Sequence, residues 1–423
     1  MTRLAGAPET QEDSRSESRE GSLSIAALPG RASGVASHPV EYRMIESFEA
    51  ENFRCFDSLI LSDLKRVNII TGENASGKTA LLEALFAAAR GNPEGLLLLN
   101  QSRGLTIGTN VGFPGLPTII NPAQFPALWN HWFYSSKEKN GATSTATKIA
   151  FQYSDSERKN YSCDFTYDPD RTLTTPQTPT SFSSGVMPFA VVRKLTEPEK
   201  PPVATASSTT LGPQGQIQGT RLLPNLGPAT FIFTASLNYA ESDNVTWFSQ
   251  LRETGETKEI IDFFKKNFSF IENLEVLQPT AGMPAGIYAT LTSGVVRRLQ
   301  LLSSGIYKII TILLACARSR NGVILIDEIE NGIFYDKYAL TWYILNKFAK
   351  AYNCQLFITS HSSECLQKLV PIIGDDVYNF SLIQTERENG KCVARHISGT
   401  AMKAALMGGN EIRGGNGKWA SPQ

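Results

Sequence analysis

The run Gly72-Glu73-Asn74-Ala75-Ser76-Gly77-Lys78-Thr79 constrains this chain more than any other feature. It has the spacing GxxxxGK[ST], follows the apolar segment Val67-Asn68-Ile69-Ile70 and leads into the helix-forming stretch 79–90. A strand that turns through glycines into a helix leaves successive backbone N–H groups pointing inward, at a helix end that favours negative charge. Gly72, Asn74, Ala75, Ser76, Gly77 and the N–H of Ala80 would form such a cradle for the β- and γ-phosphates of a nucleotide. Lys78 adds a point charge for the phosphates, and the Thr79 hydroxyl can ligate Mg²⁺. A purely structural Gly-rich turn is the alternative, and the flanking strand and helix weigh against it. The motif predicts an α/β nucleotide-binding fold.

A second cluster narrows the chemistry. Val323-Ile324-Leu325-Ile326-Asp327-Glu328 is an apolar strand that ends in two carboxylates. Asp327 would hold the Mg²⁺, directly or through water. Glu328 would polarise an attacking water, a general-base role worth about 10²–10⁴ in rate. Leu301-Leu302-Ser303-Ser304-Gly305 opens a helix over 306–320, and a Ser-Ser-Gly start offers hydroxyls and free N–H groups to an anion. Downstream, Leu356-Phe357-Ile358-Thr359-Ser360-His361 is an apolar strand closed by a histidine that can reach a γ-phosphate. Alone, the serines read as a helix cap and the histidine as a satisfied polar residue. Their order around Asp327 favours the functional reading.

Composition excludes several classes. Among 423 residues, 40 Lys+Arg balance 40 Asp+Glu, which argues against a surface built to grip nucleic acid, although a local basic patch is compatible with it. The longest apolar run, 306–317, carries Lys308 and is too short to span a membrane. The six cysteines form no CxxC pair, which points to reduced thiols in a cytoplasm rather than disulfides or a zinc site.

The chain reads as a disordered tail (1–40), an N-terminal lobe (41–173), an irregular insertion (174–228), a helical subdomain (229–290), a C-terminal lobe (291–406) and a flexible tail (407–423). The tail at 1–40 has too few large apolar residues to offset its ordering entropy. The insertion holds nine of the 22 prolines with many Ser, Thr and Gly. Strands are expected at 43–52, 67–71, 149–153, 161–167, 274–276 and 287–291, and helices at 247–252 and 256–267.

Together these motifs resemble the ABC/SMC-type ATPase head, and more narrowly the RecF/OLD-like AAA-family ATPases of bacteria. The resemblance covers 42–79 and 291–369. It implies a P-loop NTPase with an ABC/SMC-like mixed sheet, completed by residues from both ends of the chain, with ATP and Mg²⁺ as ligands. Glu51-Asn52-Phe53-Arg54-Cys55-Phe56 is similar to the family's opening strand and turn, where the basic residue, here Arg54, lies near the nucleotide. Ser303-Ser304-Gly305 resembles a degenerate signature motif, which clamps the γ-phosphate held by the opposite subunit. Ile329-Glu330-Asn331-Gly332 stands where the D-loop belongs, and His361 where the switch histidine belongs.

Three departures qualify the resemblance. The signature reads Ser-Ser-Gly-Ile-Tyr rather than Ser-Gly-Gly-Gln, and Gln101, Gln124 and Gln152 compete for the Q-loop. The 62 residues after His361 are too few for the Toprim nuclease domain of OLD proteins. The resemblance therefore implies an ATPase without its own nuclease, forming an ATP-dependent homodimer. Its expected partners are DNA or an effector protein such as a nuclease or toxin, in DNA maintenance or phage defence. The other reading is a nucleotide-binding switch with negligible turnover.

Overall fold

The computed structural model describes residues 44–91, 93–103, 125–132, 147–167, 187–197, 203–211, 217–218, 229–232, 240–280, 282–374 and 376–413. In chain order, strands β1 (Ile45–Phe53) and β2 (Phe56–Leu61) form a hairpin, and β3 (Val67–Gly72) leads into α1 (Lys78–Arg90). Helices α2 (Pro93–Ser102) and α3 (Phe125–Trp132) precede β4 (Thr147–Asp155), β5 (Asn160–Tyr167), β6 (Met187–Thr196), β7 (Val203–Leu211), β8 (Ile217–Gln218) and β9 (Ala229–Ile232). Then come α4 (Ala240–Glu253), α5 (Thr257–Asn267), β10 (Ile271–Leu277), β11 (Gly286–Leu291), β12 (Val296–Arg298), α6 (Leu299–Leu302) and α7 (Ser304–Arg318). The last part alternates: β13 (Val323–Ile326), α8 (Tyr338–Ala351), β14 (Gln355–Thr359), α9 (Ser363–Gln367), α10 (Val370–Ile373), β15 (Phe380–Glu388), β16 (Lys391–Ser398) and α11 (Gly399–Met407).

These strands make a mixed sheet in the order β16-β15-β3-β14-β13-β9, an antiparallel sheet β2-β1-β4-β5-β6-β7-β8, and a small sheet β10-β11-β12. In the mixed sheet β15, β3, β14, β13 and β9 run parallel, and β16 returns antiparallel at the edge. Parallel central strands buried on both faces read as continuous apolar runs. Val323, Leu325, Phe357 and Ile70 face one core with α1, while Ile324, Ile326, Leu356 and Ile69 face a second core with α7 and α8. Helix α1 lies between the two large sheets: Leu81, Leu82, Leu85 and Phe86 share a core with Phe48, Phe53 and Phe151 of the antiparallel sheet. On the other face, α7 is buried nearly all round, as its apolar sequence requires. No helix among the described residues is long and apolar enough to cross a membrane.

Three boundaries differ from the sequence-based expectations. Among the described residues of 174–228, β6 and β7 pair from Met187↔Leu211 to Leu195↔Val203 and extend a sheet, where an irregular insertion was expected. In the sequence Pro198, Pro201 and Pro202 stand outside both strands, while the β-branched residues of β7 suit a ladder. Within 229–290, α4 and α5 are accompanied by β9 and the β10–β11 hairpin, so the segment is mixed rather than helical. Only four residues long, β9 has no local period to reveal it and exists by pairing with β13. Residues 411–413 are tied into the fold: Ile412 is buried, and its carbonyl accepts hydrogen bonds from Thr71 Oγ1 (2.8 Å) and Gln384 Nε2 (3.1 Å). The proposed tail at 1–40 and residues 414–423 lie outside the described residues.

Candidate functional site

The carboxyl ends of β3, β13 and β14 converge, with β14 between the other two, and the phosphate-loop sequence leaves β3 there. Ligand sites of open α/β sheets form at this edge because the strand-to-helix turns open on one crevice. Gly72 and Gly77 have φ of 151° and 102°. A Cβ on Gly72 would lie 2.3 Å from the Thr385 carbonyl oxygen, and one on Gly77 would lie 2.9 Å from Phe56 Cζ. Ala75 also has a left-handed φ of 60°. The Ser76 and Thr385 hydroxyls are 2.6 Å apart, and Thr385 Oγ1 donates to the Thr71 carbonyl, so β15 holds the loop from beneath.

Helix α1 starts at Lys78 with no side-chain cap and no acidic residue in its first turn. Its opening N–H groups thus keep the positive end of the helix dipole available to an anion. Lys78 Nζ donates to the carbonyls of Gly72 (2.9 Å) and Glu73 (2.6 Å), folding the side chain along the loop. Burial lowers its pKa, opposed by Asp327, Glu328, Glu330 and Glu73.

Thr79 Oγ1 lies 3.3 and 3.2 Å from the two carboxylate oxygens of Asp327. The Thr359 hydroxyl donates to Asp327 Oδ1 (2.7 Å) and accepts from the Glu328 N–H (2.6 Å), locking the ends of β13 and β14 together. Glu328 has φ 47°, a left-handed conformation unusual for a side chain of its kind. Its carboxylate accepts from Asn331 Nδ2 and stands 3.6 Å from His361 Nε2. The backbone N–H of His361 donates to Glu330 Oε1, as does that of Ser362 at 3.0 Å. From the C-terminal segment, Arg413 Nη1 donates to the His361 carbonyl at 3.1 Å.

Ser303 is the N-cap of α7, its hydroxyl accepting from the Ile306 N–H at 3.3 Å. Exposed Ser304 donates its hydroxyl to the Gly332 carbonyl at 3.4 Å. A Cβ on Gly305 would sit 2.5 Å from that same carbonyl oxygen, so only glycine permits this approach. The three residues therefore pack on the loop that follows Glu328. One helical turn on, Lys308 is fully buried, and burial lowers its pKa to about 8 against the pull of Glu330, Asp327 and Glu328.

Arg54 is drawn elsewhere. Its guanidinium Nε lies 2.8 Å from Glu83 Oε2 inside α1, and Arg103 Nε meets the other oxygen of the same carboxylate at 2.6 Å. Its Nη1 donates to the His131 carbonyl, and burial lowers its pKa. Glu83 has no exposure and needs a cation, and Arg54 supplies it, so the residue expected near the nucleotide also has a structural partner in α1. Of the glutamines weighed for the Q-loop, Gln152 is exposed in β4 opposite Glu49, and Gln124 lies outside the described residues. Sequence reasoning missed Thr385, Glu83 and the role of Lys308. Only Lys308 left a signal, as the one charge in the run 306–317.

Residues 47–200 match the AAA domain family. Two curated relatives, both named DNA replication and repair protein RecF, align locally. That of Idiomarina loihiensis is 50% identical over 42 residues, 10% of this chain and 12% of the relative. That of Hydrogenovibrio crunogenus is 37% identical over 71 residues, 15% of this chain and 20% of the relative. The chain thus spans no more than 20% of the length of these two relatives. Among solved structures, the SMC head domain from Thermotoga maritima aligns over 84% of this chain and 99% of that one, at 10% identity and a TM-score of 0.41.

Proposed function

From the premise that the chain resembles the ABC/SMC-type P-loop ATPases of RecF-like kind, we propose that it binds ATP with Mg²⁺ and hydrolyses it to ADP and phosphate. The observation that carries this reading is the meeting of the Thr79 hydroxyl with the Asp327 carboxylate beside an uncapped helix start, with Glu328 and His361 next to them. A hydroxyl and a carboxylate are the hard oxygen donors that Mg²⁺ takes alongside phosphate oxygens. When bound, Mg²⁺ would neutralise charge on the β- and γ-phosphate oxygens.

The chain's own residues do the rest. The N–H groups of the 72–80 segment hold the phosphates, and Lys78 exchanges its loop carbonyls for phosphate oxygens. Glu328 orients a water and takes its proton as the oxygen attacks the γ-phosphorus. His361 donates to a γ-phosphate oxygen. Ser303, Ser304 and Gly305 reach a partner's γ-phosphate, so that binding closes a homodimer and hydrolysis opens it. The dimer would act on DNA or on an effector protein, a nuclease or toxin, in bacterial DNA maintenance or phage defence.

The second reading is a nucleotide-binding switch with negligible turnover. It is favoured by one observation, that both signature hydroxyls are engaged within the chain.

Turnover with and without DNA, in the wild type and in Glu328→Gln, separates the two. The first reading expects Glu328→Gln to bind ATP normally and to lose turnover by about 100-fold or more. Wild-type turnover at the level of Glu328→Gln would favour the switch. Full turnover in Glu328→Gln would place the base elsewhere.

A further inference from the structure

Lys308 is a buried cation that the chemistry above does not use. Its Nζ donates to the backbone carbonyls of Glu328 (2.6 Å) and Asn331 (3.1 Å). An apolar side chain of the same length would fill this place in α7 without the desolvation that a buried ammonium brings. What the ammonium adds is its grip on two carbonyls, and both belong to the unit that aims Glu328. The left-handed backbone of Glu328 directs its carbonyl to Lys308 while its carboxylate stands by His361. Strained conformations of this kind persist only where neighbours over-determine them. Asn331, whose carbonyl Lys308 also holds, donates its side-chain amide to the Glu328 carboxylate. The same turn of α7 touches the loop again through Ser304 and Gly305 at the Gly332 carbonyl.

We infer that Lys308 is a positioning residue: it fastens the helix that begins at Ser303-Ser304-Gly305 to the backbone of Glu328 and Asn331, so that the base keeps its aim and follows any shift of that helix. The inference rests on the ATPase reading. It assigns Lys308 no contact with nucleotide, and this separates it from Lys78.

The test uses the full chain with Lys308→Met, measured for ATP-Mg²⁺ affinity by calorimetry, for kcat and KM, and for thermal midpoint. ATP affinity should stay within about threefold of wild type while kcat falls by about 10–100-fold, the range seen when a group that orients a reactive residue is lost. The thermal midpoint should change by no more than a few degrees, because the desolvated charge is removed while the Glu328 and Asn331 carbonyls lose a donor. Unchanged kcat overturns the inference. So does a fall in kcat matched by an equal loss of ATP affinity, since that is the pattern of a merely structural lysine. Should the methionine variant not fold, Lys308→Gln, whose uncharged amide sits on a shorter side chain, is expected to show the same split; failure of both to fold overturns the inference in favour of a structural role. If wild type lacks turnover, or Glu328→Gln turns over at the wild-type rate, the ATPase reading falls and this one with it. Glu328-dependent turnover that survives in Lys308→Met removes the Lys308 inference alone.

Discussion

Glu83 holds two arginines at once, and this pairing gives Arg54 a structural role beside the phosphate-loop sequence. The carboxylate is fully buried in the second turn of α1, and Arg54 approaches it with a side chain only 14% exposed. Removing one partner of such a pair leaves a buried charge under-compensated, which costs more than the pair itself contributes. Arg54→Met is therefore expected to destabilise the protein by about 3 kcal/mol in urea unfolding, with Arg103 left as the remaining partner of Glu83. ATP affinity of the folded variant should change little. A large loss of affinity at unchanged stability would return Arg54 to the nucleotide. The candidate roles of Lys78, Thr79, Asp327 and Glu328 could be proposed from residue type and spacing alone, and the structure brings Thr79 and Asp327 together; the partner of Arg54 was not legible, because Glu83 carries no local mark of its burial.

Helix α1 is the element on which the site depends. Both large sheets contribute to the one core that buries it, so its direction is set by both, and its first turn cannot drift without disturbing that core. Gly77 is the joint between loop and helix, at φ 102° and with Phe56 and Cys55 close to where a Cβ would be. Gly77→Ala combines that strain with a contact 2.9 Å from the Phe56 ring, so the loop or the β1–β2 hairpin must shift. The expected cost is about 1–3 kcal/mol in stability. ATP affinity should fall as well, because the N–H groups that follow Gly77 are re-aimed. Calorimetry and thermal unfolding on one sample check both, and a variant unchanged in both would mean that the loop is looser than its packing indicates. Elements with a continuous apolar run beside a motif, such as β13, β14 and α7, were readable from the sequence; β7 was obscured by the prolines that precede it.

At the scale of the molecule, segments from both ends of the described chain build one site: Thr385 and Ile412 brace the loop and strand of residues 71–76, and Arg413 meets His361. The proposed association through Ser303-Ser304-Gly305 also belongs to this scale. Glu328→Gln with ATP-Mg²⁺ should elute as a dimer that ADP does not support. Adding Ser304→Arg should abolish that dimer by bulk at an exposed position while leaving ATP binding nearly intact. A nucleotide-independent dimer would mean that association uses another surface and would shift the test to activity; a Ser304→Arg protein that hydrolyses ATP normally would reduce the segment to a helix cap. The sequence by itself determined the α/β class, the phosphate loop, the paired carboxylates and the strand-closing histidine, because each is a short pattern in which residue type and backbone period agree. Only the tertiary structure decided that Ser76 leans on Thr385 across 309 residues, that Arg54 turns to Glu83, and that Lys308 reaches the backbone of Glu328. Such contacts follow from the order in which strands pair and from which buried charge finds which partner, and local periodicity encodes neither.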